Sequence, residues 1–359
     1  MLLSDYAKFR SQFYSKKALN HLSNRFPTSK LFLTHSATGA LEMIAQTIGI
    51  QPGDEIILPS FTFVSTVNAF VSFGAVPVFV DIDPVSKCID VEQVSRIISP
   101  KTKVIIAVHY GGIPANLLSL KGLCKKHALY LIEDAAMGYG SFYGDQPLGS
   151  IGDAGIISFD ITKQVTAIQG GLCIINNTEL FEKANQVYHI GTNREEHING
   201  NVPYYEWVNK GSKFQMSELN AAVLVEQLTN EEQIFQHRKG LSLHYYTTLK
   251  PLADAGLCKL IPEWFISNSV HLFYVETSDL SERNELMTFL MKKNIESCFH
   301  YIPLHSSKFG KEIGKTSGEM SVTDHTANTL LRLPFHNLLN EENVQRVTKA
   351  IKEFYNGRK

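Results

Sequence analysis

The sequence has few cysteines, no excess of charge of either sign and no long hydrophobic run. Its five cysteines lie far apart and none forms a C-x-x-C pair, which argues against a structural zinc site and favours a reducing compartment. A formal net charge of −1 leaves no basic surface for nucleic acid, and no run of about 20 apolar residues could cross a bilayer. Residues 1–6 also lack a signal-peptide pattern. We therefore expect a cytoplasmic protein that binds neither nucleic acid nor a membrane.

Short apolar segments alternate with helical segments through the first half of the chain. The predicted strands are 31–34, 55–58, 77–80, 104–108, 130–133 and 171–175. This alternation is typical of a parallel sheet covered by helices on both faces, in which ligands bind at the carboxyl ends of the strands. The sequence thus predicts an α/β fold with a ligand site at one edge of the sheet.

The second half of the chain has a different pattern, and we predict a domain boundary near residue 235. The 359 residues suffice for a large domain at 1–235 and a smaller α+β domain at 236–359. In the smaller domain we expect strands at 271–276 and 296–300. Residues 191–213 are polar and rich in Gly and Asn, which predicts a long irregular loop, and loops of that length are usually functional or mobile.

A lysine follows one of the apolar segments. In residues 155–163, Ser158 interrupts an apolar run and Lys163 comes just after its end. Partial desolvation there would lower the pKa of the lysine amine and make it a usable nucleophile toward a carbonyl. The ordinary alternative is a solvated surface lysine.

A carboxylate ends another apolar strand, at residues 131–136, where Asp134 precedes two alanines. A lysine that forms a Schiff base and a buried aspartate that holds a pyridinium nitrogen are the two groups that a pyridoxal phosphate (PLP) site needs. Lys163 and Asp134 are therefore the candidate catalytic residues.

A third feature lies between the first predicted strand and the helix after it. Residues 35–40 contain Ser36 and Thr38, small hydroxyl side chains at a position where free backbone N–H groups can bind a phosphate. The commoner role of such residues is to cap the helix. Both readings stay open at this point.

These motifs resemble, over nearly the whole length, the DegT-like sugar aminotransferases, which are fold-type I PLP enzymes acting on nucleotide-linked keto sugars. The later segments look closest to the transaminases that produce TDP-4-amino-4,6-dideoxygalactose. The segments that carry the resemblance are 34–42, 58–63, 132–136, 158–163, 191–194, 216–222 and 299–305. The resemblance implies a large domain with a mainly parallel sheet flanked by helices, and a smaller C-terminal α+β domain.

The resemblance also implies the roles of individual residues. Lys163 would bind PLP covalently, Asp134 would pair with the pyridine nitrogen, and Phe63 would stack on the ring. Further cofactor-binding positions are Ser36, Ala37, Thr38, Gly39, Met137 and Ser158, with Lys213 contributed by the neighbouring subunit. Ordinary core packing is the alternative for Phe63, and a solvated loop residue is the alternative for Lys213.

Three positions near the cofactor depart from the family pattern. Met137 stands where glutamine is usual and cannot donate the same hydrogen bond. Asp160 replaces a common histidine, and Gln164 replaces a common asparagine. The related PLP dehydratases carry histidine at the lysine position, so Lys163 favours aminotransferase chemistry.

Candidate substrate contacts are spread over the second half of the chain. They are Tyr188, Asn193, Arg194, His300 and His305. No metal-ligand pattern surrounds the histidines, so we expect no metal site, and a structural role is the favoured alternative for His300 and His305.

We expect a PLP-dependent aminotransferase that converts a nucleotide-linked, dTDP-type 4-keto-6-deoxyhexose into the 4-amino sugar, with L-glutamate as donor. The resemblance implies a homodimer with active sites at the interface and a product used in outer-surface polysaccharide such as O-antigen or lipopolysaccharide. The alternatives are an enzyme that makes a 3-amino sugar, and a non-catalytic ligand-binding or regulatory member of the same fold.

Replacing Arg194 with alanine should raise the Michaelis constants, because a guanidinium binds carboxylates and phosphates through two parallel hydrogen bonds. Steady-state kinetics with both substrates provide the measurement. Unchanged constants for both substrates would remove Arg194 from the site.

Overall fold

The protein, seen in a computed structural model, is described over residues 3–268 and 271–358. Met1, Leu2, Ser269, Val270 and Lys359 belong to the two predicted domains but lie outside the described residues. The strands are β1 Lys30–Thr34, β2 Glu55–Pro59, β3 Val76–Val80, β4 Thr102–Val108, β5 Tyr130–Asp134, β6 Phe142–Tyr143, β7 Gln146–Pro147, β8 Ala154–Ser158, β9 Gly171–Ile175, β10 Lys259–Leu260, β11 Tyr274–Glu276, β12 Lys315–Thr316 and β13 Leu330–Arg332.

The α-helices alternate with the strands and then dominate the C-terminal part. They are α1 Leu3–Arg10, α2 Phe13–Arg25, α3 Ala37–Ile48, α4 Val64–Val71, α5 Val91–Ile97, α6 Leu117–His127, α7 Phe181–Tyr188, α8 Arg194–Ile198, α9 Glu218–Thr229, α10 Glu231–Asp254, α11 Leu280–Lys292, α12 Lys308–Ile313, α13 Ser321–Thr329 and α14 Glu341–Asn356. None of these helices is both long and apolar enough to cross a membrane.

The large sheet has the strand order β1-β9-β8-β5-β4-β2-β3-β12. Its neighbours pair in parallel except on the two sides of β9, which is antiparallel to both β1 and β8. Successive residues of β4 belong to different cores, with Ile105 on one face and Val104 and Ile106 on the other. Strands buried on both faces need apolar side chains at nearly every position, which explains the continuous apolar runs of the sequence.

Helices cover both faces of this sheet. One core contains buried residues of α3, α4 and α7, and the other contains buried residues of α2, α6 and α9. The predicted α/β architecture with a mainly parallel sheet flanked by helices is therefore confirmed.

A second sheet with the order β10-β11-β13 is antiparallel and packs with the C-terminal helices. The predicted strand at 271–276 begins only at Tyr274, and the predicted strand at 296–300 is wrong. There only Cys298 exchanges backbone hydrogen bonds with Arg332, at 2.8 and 3.2 Å, before the chain turns away. A single bridged residue is too short a contact to extend the sheet.

The domain boundary predicted near residue 235 falls inside α10, which runs without interruption from Glu231 to Asp254. Strand β12, from the C-terminal part, pairs in parallel with β3 at the edge of the large sheet. One hydrophobic core also extends from Ile105 of the large sheet to Val275 of the small one. The division at residue 235 stays a prediction.

The sheet topology gathers several chain segments at one edge. Because β9 is antiparallel to β1 and β8, and the remaining neighbours pair in parallel, the carboxyl ends of β1, β2, β5 and β8 meet where β9 begins. At that point a Cβ atom on Gly171 would lie 2.5 Å from the backbone nitrogen of Ala37. The absence of a side chain at Gly171 thus lets the N-terminus of α3 rest directly on β9.

Replacing Gly171 with alanine should lower the free energy of unfolding by about 1–3 kcal/mol, because the added methyl group overlaps backbone atoms that cannot rotate away. The measurement is the denaturant midpoint. Gly122→Ala is the matched control, since nothing lies within 4 Å of that position in α6, and this variant should gain about 0.5–1 kcal/mol in helix propensity. Equal midpoints for the two variants would contradict the prediction.

Candidate active site

A cavity of about 930 Å³ opens at the edge where β1, β2, β5 and β8 end. The residues predicted from the sequence that line it are Ser36, Ala37, Thr38, Phe63, Asp134, Met137, Ser158, Lys163 and His300. Residues from distant parts of the sequence thus meet around one space, as the strand-end rule for α/β sheets predicts.

Lys163 lies in the loop between β8 and β9, where its backbone N–H donates to the Asp160 carbonyl at 3.0 Å. Burial lowers the pKa of its amine and the Arg332 guanidinium lowers it further, while the carboxylates of Asp134 and Asp160 act in the opposite direction. More of the amine is therefore neutral near pH 7 than in an ordinary lysine. A neutral amine is the nucleophilic form.

Asp134 ends β5 and is 6% exposed. Its Oδ2 accepts a hydrogen bond from the Thr66 hydroxyl at 2.7 Å, and its Oδ1 accepts from the Ala136 N–H at 3.1 Å. Since the Thr66 hydroxyl uses its proton on Asp134, its oxygen accepts from the Thr62 hydroxyl at 3.0 Å. These contacts fix the carboxylate at the cavity wall.

The two threonines behind Asp134 were missed by the sequence analysis. Thr66 lies in the first turn of α4, and Thr62, four residues earlier, precedes the helix with its hydroxyl 3.0 Å from that of Thr66. This spacing, next to a segment that already pointed to the site, was the signal that could have identified them.

The N-terminus of α3 points into the cavity. The Ser36 hydroxyl caps the helix by accepting from the Gly39 N–H at 3.0 Å, and the Ala40 N–H donates to the Ser36 carbonyl. Within the described residues, the Ala37 and Thr38 N–H groups have no such acceptor. The capping role is therefore confirmed, and the phosphate site stays a prediction that two open N–H groups at the positive end of the helix would allow.

Side chains from the second half of the chain form another part of the cavity wall, and most were not predicted. His271, Tyr301 and Arg332 line the cavity beside His300. The Tyr110 hydroxyl and His300 Nδ1 lie 2.7 Å apart, and the His300 and Tyr301 rings stack at 3.7 Å. Burial and then the charges of neighbouring cations hold the pKa values of His271 and His300 well below their usual range, so both rings are neutral at physiological pH.

His109 directly follows β4 and is fully buried behind the site. Its Nε2 lies 3.0 Å from Glu133, which also accepts from the N–H groups of Gly149, Ile151 and Gly152. Burial alone would raise the pKa of Glu133, but the hydrogen bond and charge of His109 together with the backbone N–H groups keep this pKa below its usual value. The pair anchors the strand that carries Asp134.

The three residues that depart from the family pattern do not all lie at the cavity. Met137 and Asp160 line the cavity, whereas Gln164 is buried outside its lining. The Gln164 side chain donates to the Tyr139 carbonyl at 2.6 Å, and its oxygen lies 3.0 Å from His271 Nδ1. This arrangement places the proton of neutral His271 on Nδ1 and leaves Nε2 as an acceptor.

The remaining predicted residues do not line the cavity of this protomer. They are Gly39, Tyr188, Asn193, Arg194, Lys213 and His305. Gly39 supports the Ser36 cap, Tyr188 donates to the Leu33 carbonyl at 2.8 Å, and His305 Nδ1 lies 2.7 Å from the Ser60 hydroxyl.

The other three lie in the long segment after α7. Asn193 accepts from the Glu206 N–H at 2.7 Å, and Arg194 and Lys213 are exposed. The structure thus does not bring these three to the cavity of their own protomer, and their roles stay predictions.

The donor set of the cavity fits PLP. The amine of Lys163 can bind its aldehyde, the carboxylate of Asp134 can face a protonated ring nitrogen, and the open N–H groups of α3 with Ser36, Thr38 and Ser158 can receive its phosphate. Phe63 lines the same cavity with its ring 57% exposed, as a stacking surface requires. Within the described residues no cluster of three or more His, Cys, Asp or Glu side chains could hold a metal ion.

Comparison with known proteins gives a consistent result. The sequence matches the family model of the DegT/DnrJ/EryC1/StrS aminotransferases over residues 26–352. A structure of such an aminotransferase from Brucella abortus is 26% identical, with a TM-score of 0.85 over 95% of this chain and 90% of that one.

Two further similar structures carry a cofactor in their descriptions. A candidate sugar aminotransferase from Streptococcus pneumoniae in its PLP form is 26% identical, with a TM-score of 0.86 over 96% of this chain and 91% of that one. NtdA from Bacillus subtilis, with bound pyridoxamine phosphate (PMP), is 27% identical, with a TM-score of 0.85 over 96% and 77%.

Lys163→Ala should abolish the absorbance band at about 400–430 nm that PLP linked to a lysine gives. Borohydride reduction of the wild-type protein should leave the cofactor on the peptide that contains Lys163, detected by mass spectrometry. Lys183→Ala is the matched control, because burial also lowers the pKa of Lys183 but this residue lies outside the cavity lining. A band that survives Lys163→Ala would place the attachment elsewhere.

Proposed function

The chain belongs to the DegT/DnrJ/EryC1/StrS aminotransferase family, and on that premise we propose that it converts a dTDP-linked 4-keto-6-deoxyhexose into the 4-amino-4,6-dideoxyhexose with L-glutamate as amino donor. The family match, together with neighbours in PLP and PMP forms, confirms the predicted PLP-dependent sugar transaminase and its cofactor. The nucleotide, the sugar carbon and the donor are the proposed part.

One observation carries the proposal: the Lys163 amine, the Asp134 carboxylate and the N-terminus of α3 share a single cavity. PLP, when bound there, supplies an electron sink for the carbon that loses a proton. Lys163 Nζ, whose pKa is lowered by burial, can take the proton from the amino-bearing carbon and return it at the end of the transfer.

Asp134 and Phe63 orient the ring in this proposal. Thr66 and Ala136 donate to the two oxygens of the Asp134 carboxylate and prevent it from turning, so that it would face the ring nitrogen and keep that nitrogen protonated. The N–H groups of Ala37 and Thr38 balance the charge of the phosphate at the other end of the cofactor.

The rest of the cavity suits a sugar ring. Phe299 and Ile302, which are 41% and 65% exposed, form an apolar rim next to His300 and Tyr301. Sugars bind through apolar contacts of their ring faces and hydrogen bonds to their hydroxyls, and neutral His300 can supply such a bond. These features support a hexose as the amino acceptor.

We further propose that a second copy of the chain completes the site, with Lys213, Asn193 and Arg194 reaching the neighbouring cofactor or substrate. The segment that carries them exposes large apolar side chains, among them Ile198, Tyr204 and Trp207 at 66%, 65% and 80%. Exposed apolar clusters of this kind mark interaction surfaces. Tyr188, at the end of α7 just before this segment, is fixed to β1 by its bond to Leu33.

The purified enzyme, supplied with L-glutamate, should aminate a dTDP-linked 4-keto-6-deoxyhexose in preference to the 3-keto isomer, because the proposed acceptor carries its keto group at C4. Mass spectrometry and NMR of the product locate the new amino group. Exclusive amination of the 3-keto sugar would replace the proposal with the 3-amino alternative.

A further inference from the structure

The backbone of Ile168 is held in a conformation that β-branched residues rarely adopt. Ile168 lies in the loop between β8 and β9 and has a φ of +68°, in the left-handed region. A branched Cβ crowds the backbone there, so the conformation costs free energy, and such outliers are found chiefly at functional sites. Glycine would adopt the same conformation without strain. An isoleucine at this position therefore points to a use for its side chain.

Neighbouring groups hold the strained backbone in place. The side-chain amide of Asn220, in the first turn of α9, donates to the carbonyls of Ala167 and Gln169 at 2.7 and 2.9 Å. The Ile168 N–H, between these two carbonyls, donates to the Thr166 hydroxyl at 2.8 Å. The backbone on both sides of Ile168 is thus fixed by hydrogen bonds, and the direction of its side chain is fixed with it.

Ile168 is 55% exposed and lines the cavity. The other residues that the same loop contributes to the lining are Asp160, Thr162, Lys163, Gln169 and Gly170. Ile168 therefore supplies the only apolar side chain that residues 159–170, all of which the structure describes, present to the cavity. An apolar side chain that remains in contact with water stabilises nothing until another apolar group covers it.

The chemistry of the proposed acceptor selects the group that covers Ile168. In a 4-keto-6-deoxyhexose, C4 is bonded to C3, which carries a hydroxyl, and to C5, which carries the ring oxygen and the C6 methyl. The methyl is thus the only apolar substituent next to the reacting carbon. Because the reaction brings C4 to Lys163, and Ile168 lies on the same loop as Lys163, the C6 methyl is the apolar group that this side chain can reach.

We propose that Ile168 forms the apolar wall against the C6 methyl of the hexose and thereby selects 6-deoxy sugars. A sugar with a hydroxyl on C6 would bring a polar group against this wall, where the side chain of Ile168 offers no hydrogen-bond partner. The assignment rests on the proposed function, because it takes a 4-keto-6-deoxyhexose as the acceptor. Asn220 is a positioning residue in this arrangement, since it holds the backbone around Ile168.

The reverse half-reaction tests this assignment without any amino-acid donor. The holoenzyme is mixed with a dTDP-linked 4-amino-4,6-dideoxyhexose or with its 6-hydroxy counterpart, a dTDP-linked 4-amino-4-deoxyhexose. The rate of loss of the PLP absorbance band is measured. Wild type should react with the 6-deoxy sugar about 10- to 100-fold faster, the range over which an apolar pocket rejects an added hydroxyl.

Substitutions at residue 168 separate the apolar contact from the backbone conformation. Ile168→Val should keep most of the preference for the 6-deoxy sugar, because valine presents a similar apolar surface. Ile168→Gly and Ile168→Asn should both lose most of it, although asparagine keeps a side chain and tolerates the left-handed region. A preference that survives in both variants would overturn the proposal. Loss in Ile168→Gly alone would assign the effect to a loosened loop and would also overturn it.

Ile190→Gly is the matched control. Ile190 also has a left-handed backbone, with a φ of +63°, and is 54% exposed, but it lies outside the cavity lining. Glycine relieves strain at both positions and adds freedom to the unfolded chain, so both denaturant midpoints should stay close to that of the wild type. Only Ile168→Gly should change the sugar preference. An equal change in both variants would contradict a contact specific to Ile168.

The inference and the proposed function fail in different ways. A wild type that reacts with both amino sugars at equal rates leaves the proposed function standing and overturns the role of Ile168. A wild type whose PLP band neither sugar changes removes the proposed acceptor and this inference with it. An Ile168→Gly variant that keeps the preference but changes its oligomeric state, measured by sedimentation, would assign Ile168 to a contact between two copies of the chain and overturn the inference.

Discussion

The balance of charge around the Lys163 amine is the constraint on which the site depends. Burial favours the neutral amine, Arg332 adds to that effect, and the carboxylates of Asp134 and Asp160 oppose it. An amine buried without the carboxylates would be protonated less readily still, and one left in water would rarely be neutral near pH 7. A group that both attacks a carbonyl and carries a proton needs access to both states.

Two neighbouring carboxylates on β5 show how the scaffold supports this balance. Side chains of successive strand residues point to opposite faces, so Glu133 and Asp134 face different surroundings. Glu133 is fully buried and receives hydrogen bonds from His109 and three backbone N–H groups, which fixes the loop after β7 to the strand. Asp134 receives two bonds and keeps one side open to the cavity. Glu133 thus holds the strand in place, and Asp134 is thereby held in a fixed position at the cavity.

The site residues carried by the large sheet could be predicted from the sequence, because each of them is recognised from its position at the end of an apolar segment. Ser36, Asp134 and Ser158 each follow or end an apolar strand, and parallel strands end at one edge. The small-sheet side escaped prediction because His271 and Arg332 reach the cavity through packing between distant segments. The expected strand at 296–300 shows the same limit in the opposite direction, since the local sequence suggested a strand and only Cys298 pairs with β13.

The two sides of the cavity are coupled through their charges. Burial first, and then the positive charges of Lys163 and Arg332, lower the pKa values of His271 and His300. An anion that binds in the cavity would offset part of that positive charge, so the pKa of the Lys163 amine would rise with it. The amine would then hold a proton more firmly when a donor is bound than when the site is empty. A donor that binds in this way would therefore adjust the proton carrier that its own reaction uses, and Gln164, which holds His271 next to the lysine loop, connects the two sides structurally.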